Sequence, residues 1–134
     1  MRLVILVLCA LVGSANADGG RKIVTDTSIE ILDDIHFIGT TTQIAGSSFR
    51  MMDAVATTLK GNPEIKRMEV IAFGSDLPGP TLDQVALAQG RARAIVQALQ
   101  LRGVAPQRLI ARGSAHPPRP KNPSPMFLIV ERGN

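Results

Sequence analysis

Apolar positions along this chain alternate between two periods. In IEILDDIHF, Ile29, Ile31, Ile35 and Phe37 recur at every second position, which predicts a strand with one buried face, interrupted by a turn or bulge at Asp33-Asp34. Arg67 to Phe73 (RMEVIAF), Arg108 to Gly113 (RLIARG) and Phe127 to Glu131 (FLIVE) read as three further strands, and Lys22 to Thr25 as a short extended piece. The stretch from Gly39 to Gly46, rich in Thr and Gly, reads as a loop.

Between these runs the period lengthens to that of a helix. Ser47 or Ser48 is placed to cap a helix that runs to about Lys60 with Phe49, Met52, Ala56 and Leu59 on one face, and Gly61-Asn62-Pro63 ends it. A second, longer helix starts at Thr81, where Thr81 and Gln84 have capping-box spacing, and continues to Leu101 or Arg102 with Gly103 just beyond. Wound at about 100° per residue, it gathers Val85, Ala88, Ala92, Ile95, Val96 and Leu99 into one stripe and Leu87, Ala94, Ala98 and Leu101 into a second. The order strand, helix, strand, helix, strand, strand predicts an α/β fold, a two-layer βαβαββ sandwich with both helices on one face of a small mixed sheet. The segment SAHPPRPKNPSP before the last strand holds five prolines and cannot join a sheet centre.

Composition narrows the function. The chain has 134 residues, 45% hydrophobic and 19% charged, enough for one domain. Met1-Arg2, the apolar run from Leu3 to Val12 and Ala15-Asn16-Ala17 have the form of a secretory signal peptide over residues 1–17, followed by a leader over 18–28 and a domain over 29–134. Leu8 precedes Cys9 where lipid attachment needs a small residue, so Cys9 is expected to leave with the signal, and the mature chain then has no cysteine, no disulfide and no membrane span. Net charge is +4, and +3 once Arg2 is removed, spread evenly. With no Trp, no Tyr and four Phe, the chain lacks a stacking surface, which argues against nucleic acid. A mild positive charge outside the cytoplasm suits an anionic polymer.

The candidate chemistry sits between the second long strand and the long helix. Arg91 falls between the two apolar stripes with Gln84 beside it, so two polar side chains point toward the side the helix buries, and such groups need partners. Asp76 follows the strand in a loop, Gly74 to Pro80, shaped by two glycines and two prolines. Arg91 has three possible partnerships: Asp76, a ligand, or both. The ordinary reading of the pair is an ion pair closing the loop onto the helix. Arg93 is a solvated charge, and Arg102 a cation at the helix end. His36 and His116 have no companion ligands, which argues against a metal, and Ser75-Asp76 has no nucleophile-elbow context, which argues against a hydrolase. Adjacent residues of a strand face opposite sides, so Asp33-Asp34 does not make an acid–base pair, and it reads as a solvated turn.

These residues resemble the OmpA-like peptidoglycan-binding domain, the module also found in Pal lipoproteins and flagellar stator proteins. That family has a strand ending in Gly-His-Thr-Asp, a Gly three residues later, then Asn-x-x-Leu-Ser-x-x-Arg-Ala-x-x-Val. Here the matching residues are Phe73-Gly74-Ser75-Asp76, Gly79, then Gln84, Leu87, Ala88, Arg91, Ala92 and Ile95, without a gap. Gly103-Val104, Arg108-Leu109 and Arg112-Gly113 match further downstream. The chain departs from the pattern at Gly74 for His, Gln84 for Asn and Ala88 for Ser, and has Ser124-Pro125-Met126-Phe127 where the family has Asn-Arg-Arg-Val.

The resemblance implies a noncatalytic, cofactor-free module that binds peptidoglycan through the diaminopimelate of the stem peptide. Asp76 would take the ammonium and Arg91 the carboxylate, assisted by helix-start amides from Thr81 to Gln84. The implied location is the periplasm of a Gram-negative envelope, as a free module or in association with the outer membrane, with other envelope proteins as further partners. The alternative is a divergent member that kept the fold for protein interaction or structure, with the proline-rich loop, or the surface freed by the absent arginines, as its contact.

Overall fold

The computed structural model describes residues 22–24, 28–31, 34–74, 81–115 and 124–133, with backbone alone for 22–24, 30–31 and 81–82. The expected signal peptide, Asp76 and its loop, and most of the proline-rich segment lie outside the described residues. The elements are β1 (Lys22–Val24), β2 (Ser28–Ile31), α1 (Phe49–Gly61), β3 (Ile65–Phe73), α2 (Thr81–Leu101), β4 (Leu109–Ser114) and β5 (Met126–Arg132). The strands form one mixed sheet in the order β1-β2-β5-β3-β4. The extended piece expected at Lys22 is β1, antiparallel to β2, and the remaining elements follow the expected βαβαββ order.

Central β3 runs antiparallel to β5 and parallel to β4. Parallel neighbours cannot be joined by a tight turn, and α2 supplies the crossover. One face of the sheet, carrying Ile29, Met68, Val70, Leu109, Phe127 and Ile129, meets Met52, Val55 and Leu59 of α1 and Ile95 and Leu99 of α2 in a single core. Ile71 and Phe73 are buried on the alternate positions of β3, so that strand is apolar on both faces near its end.

Several sequence expectations are corrected by tertiary contacts. The run from Ile29 to Phe37 is not one strand: β2 stops at Ile31, and Phe37 makes a single antiparallel bridge to Ile44. Residues 36–45 fold back on themselves instead, with Ile38 N–H donating to Gln43 O at 2.9 Å and Ala45 N–H to His36 O at 2.9 Å. The stretch expected as a loop is one, folded into a hairpin by the single Phe37–Ile44 bridge and followed by a 3-10 turn at Gly46–Ser48.

Neither end of α1 is capped as expected. Ser48 precedes the helix but makes no side-chain cap; its buried hydroxyl accepts the His36 N–H at 2.8 Å and holds the hairpin base. Phe49 is 47% exposed, with the Arg102 guanidinium 5.7 Å from its ring centroid, while the buried line runs through Met51, Met52, Val55, Ala56 and Leu59. At the far end Gly61 does not adopt a positive φ. Asn62 closes the helix through its Nδ2, which donates to Thr58 O at 2.7 Å, and Arg108 Nη2 donates to Leu59 O at 2.8 Å and to Ile65 O at 2.8 Å. Long-range carbonyl capping does the work that a left-handed glycine does elsewhere.

The long helix keeps its expected span, and Gly103 follows it with φ of +96°. Its buried line is Ala88, Arg91, Ala92, Ile95 and Leu99; Val85 and Leu101 are exposed, Leu101 by 86%, because they lie beyond the edges of the core. Arg102 reaches back to Ala98 O at 2.9 Å and across to Asp53 at 2.5 Å, the structural role expected of a cation at a helix end.

Candidate functional site

The candidate site lies where β3 ends and α2 begins. Gly74 N–H donates to Ser114 O at 3.2 Å, which keeps the chain in the sheet one residue past β3. α2 starts so close above it that a Cβ on Gly74 would stand 2.7 Å from both the carbonyl oxygen and Oε1 of Gln84. No side chain fits at position 74 unless the helix start moves, since one of those atoms is backbone. Gln84, half-buried, turns its carboxamide oxygen against Gly74. Asp76, the expected carboxylate, and the side chain of Thr81 lie outside the described residues.

Arg91 lies two helical turns further on, about 10 Å along the axis, and is only 8% exposed. Its Nε donates to Thr41 O at 2.9 Å and its Nη2 to Gly39 O at 3.1 Å. The Phe37 ring covers one face of the guanidinium, its centroid 4.7 Å from Cζ. Burial pushes the pKa of Arg91 below its ordinary value, but the group remains protonated at neutral pH. A buried cation needs acceptors, and the hairpin supplies two carbonyls. Arg91 is therefore inward as expected, with a partnership that sequence reasoning did not find.

Two features make that partnership possible. Gly39 has φ of +56°, which turns its carbonyl out of an ordinary strand path. Gly90 stands in mid-helix, where glycine costs roughly 1 kcal/mol relative to alanine, and a Cβ there would lie 2.7 Å from Thr42 Cγ2. A glycine in that position was the legible signal that another segment crosses the helix. The hairpin base is fixed by two hydroxyls, Ser48 on the His36 N–H and Ser124 on the Ile35 N–H at 3.3 Å. Ser124 stands in the stretch that replaces the arginine signature, so that stretch anchors the hairpin from the other side.

Gln89, on the neighbouring flank of α2, closes the sheet. Its Nε2 donates to Ala111 O at 3.3 Å and its Oε1 accepts the Gly113 N–H at 2.8 Å. Ser114 O faces β3, so by alternation Ala111 and Gly113 direct their main chain to the free edge of β4. The carboxamide thus makes both bonds that a parallel strand would make opposite Arg112. Gly113 has to be glycine: a Cβ would stand 2.7 Å from the carbonyl carbon of Ala88 and closer still to the Gln89 amide.

The OmpA family model matches residues 37–125, from the hairpin to the last residue before β5. The chain belongs to the OmpA family. Solved structures with the same fold include the peptidoglycan-associated lipoprotein of Burkholderia pseudomallei, 20% identical, with TM-score 0.62 over 71% of this chain and 87% of that one. The periplasmic domain of Helicobacter pylori MotB is 17% identical, with TM-score 0.65 over 90% and 84%. An outer membrane protein of Borrelia burgdorferi B31 is 19% identical, with TM-score 0.65 over 82% and 96%. No curated protein matches the sequence. By the resemblance drawn from the sequence, the family's histidine would fall at the Gly74 that packs on Gln84 and its arginine at the buried Arg91 that bonds the hairpin.

Proposed function

We propose that this chain is a noncatalytic, exported module that binds peptidoglycan through the diaminopimelate of its stem peptide, in the periplasm of a Gram-negative envelope. OmpA-family domains generally bind peptidoglycan, and the observation that carries the reading to this chain is the buried Arg91 guanidinium at the family's spacing from Asp76. The free end of diaminopimelate carries an ammonium and a carboxylate on one carbon. Asp76 would take the ammonium and Arg91 the carboxylate, with N–H groups of the first turn of α2, Thr81 to Gln84, adding donors for the anion. Binding by two charges and no reacting group is recognition without bond cleavage.

The second reading is a divergent domain kept for protein contacts or structure. It is favoured by one observation: two of the Arg91 donors are taken by Gly39 O and Thr41 O. A pulldown on purified diaminopimelate-type sacculi separates the two, using the native protein beside Asp76→Ala and Arg91→Ala. Retention of the native protein and loss of both variants supports the first reading. Equal retention of all three, or of none, overturns it and leaves the second.

A further inference from the structure

We infer that the hairpin of residues 36–45 is a positioning device for Arg91, one that leaves a single edge of the guanidinium for a ligand. This rests on the diaminopimelate reading of the site. Arg91 offers five N–H groups in a planar fork. Nε–H and the adjacent Nη2–H form one parallel pair, and the hairpin takes both, at Thr41 O and Gly39 O. Phe37 closes one face. Among the described residues, what remains is the edge formed by Nη1 and the second Nη2 proton. A carboxylate can be held there by two bonds without breaking those to the hairpin.

The hairpin is built for that task. Every residue of its tip, 38–43, is exposed. The described contacts that tie the tip to the body are the two Arg91 bonds and the seat of Thr42 on Gly90. Thr41 sets the tip's shape with its side chain: Oγ1 donates to Ile38 O at 2.6 Å and accepts the Gln43 N–H at 3.1 Å. Gly39 supplies the positive φ and has open space around an added Cβ. These two residues therefore aim the carbonyls, and the carbonyls aim the arginine. Holding the charge in one orientation before the ligand arrives reduces the ordering cost of binding.

The test uses Thr41→Val, which keeps the side-chain shape and removes the hydroxyl, and Gly39→Ala, which strains the backbone without a clash. Thr40→Val, at an exposed neighbour, is the control and Arg91→Ala the reference. Binding of a soluble diaminopimelate-containing muropeptide is measured by calorimetry. Exchange of the Arg91 Nε proton is followed by NMR. Support consists of Arg91→Ala abolishing binding, both hairpin variants weakening it about fivefold or more with faster Nε exchange, and Thr40→Val behaving as the native protein. If Arg91→Ala abolishes binding while both hairpin variants bind as the native protein, the inference is overturned and the diaminopimelate reading survives. If Arg91→Ala binds normally, that reading fails and the inference falls with it. The Nε signal then reports only how the hairpin is held. Since both hairpin substitutions lie outside the core, thermal unfolding of each variant separates loss of fold from loss of aim.

Discussion

Replacing Gly113 by alanine puts a methyl group where the backbone of α2 already stands. The nearest atoms are the Ala88 carbonyl carbon, 2.7 Å from the ideal Cβ, and the Gln89 amide. Both are main chain in the middle of a helix, so no side chain can swing away. Either α2 lifts from β4 or the edge strand bends outward. Overpacking of this kind typically costs 1–3 kcal/mol, and stretching the bond from Gly113 N–H to Gln89 adds about 1 kcal/mol, for a total near 3 kcal/mol. For a domain of this size that lowers Tm by roughly 10–20 °C. Gly61→Ala is the matched control. Gly61 is the last residue of α1, has no positive φ and has open space at its Cβ position, so alanine there is expected to stabilise by about 0.5–1 kcal/mol. Urea unfolding of the two variants beside the native protein is the assay. A Gly113→Ala protein within about 0.5 kcal/mol of native would refute the seating of α2 on β4, and with it the position of the site at the head of that helix.

Three further outcomes follow from the same contacts. Gln89→Ala should speed hydrogen exchange at the Gly113 amide by tenfold or so and promote self-association through the opened edge of β4; unchanged exchange would show that the carboxamide does not cover that edge. Ser48→Ala should cost about 1–2 kcal/mol by leaving the His36 N–H without its acceptor, and exchange at the His36 amide should rise while α1 keeps its start, which circular dichroism and amide exchange together can read. Burial lowers the Arg91 pKa, so the folded state binds fewer protons only above that lowered pKa; stability should rise with pH there and owe no pH dependence to Arg91 near neutrality. The stability change of Arg91→Met should therefore be the same at about pH 6 and about pH 9; a difference exceeding the error of urea unfolding would contradict this.

Periodicity carried much of the fold. The alternation in β3 and β5 and the helical spacing of Ala88, Ala92, Ile95 and Leu99 are local properties of a chain that must bury one face, so they survive in any arrangement that satisfies them. Where the sequence reading failed, a distant group had competed for a local one. Ser48 has the composition of a helix cap, but its hydroxyl serves His36, and Phe37 continues an alternating pattern but pairs with Ile44. Glycine at position 61 suggests a left-handed cap, but Asn62 bonds the Thr58 carbonyl and Arg108 reaches the Leu59 carbonyl from 49 residues away in sequence. Such choices are settled by which donor reaches an acceptor in three dimensions, and no local pattern records that.

The candidate site divides in the same way. That Arg91 points inward follows from its place on the helical wheel, and the family spacing to Asp76 is written in the residues themselves. Which acceptors Arg91 finds is a matter of tertiary structure. A buried guanidinium takes whatever oxygens surround it, and the hairpin delivers Gly39 O and Thr41 O from 52 and 50 residues upstream. Likewise the glycines at 74, 90 and 113 are visible in the sequence, but only the fold shows that each one lets another segment come within touching distance of α2 or lets α2 come within touching distance of a strand. Sequence determined the elements and the charge that faces inward, because both depend on spacing along one chain. The fold decided what that charge holds, because this depends on which backbones close packing brings together.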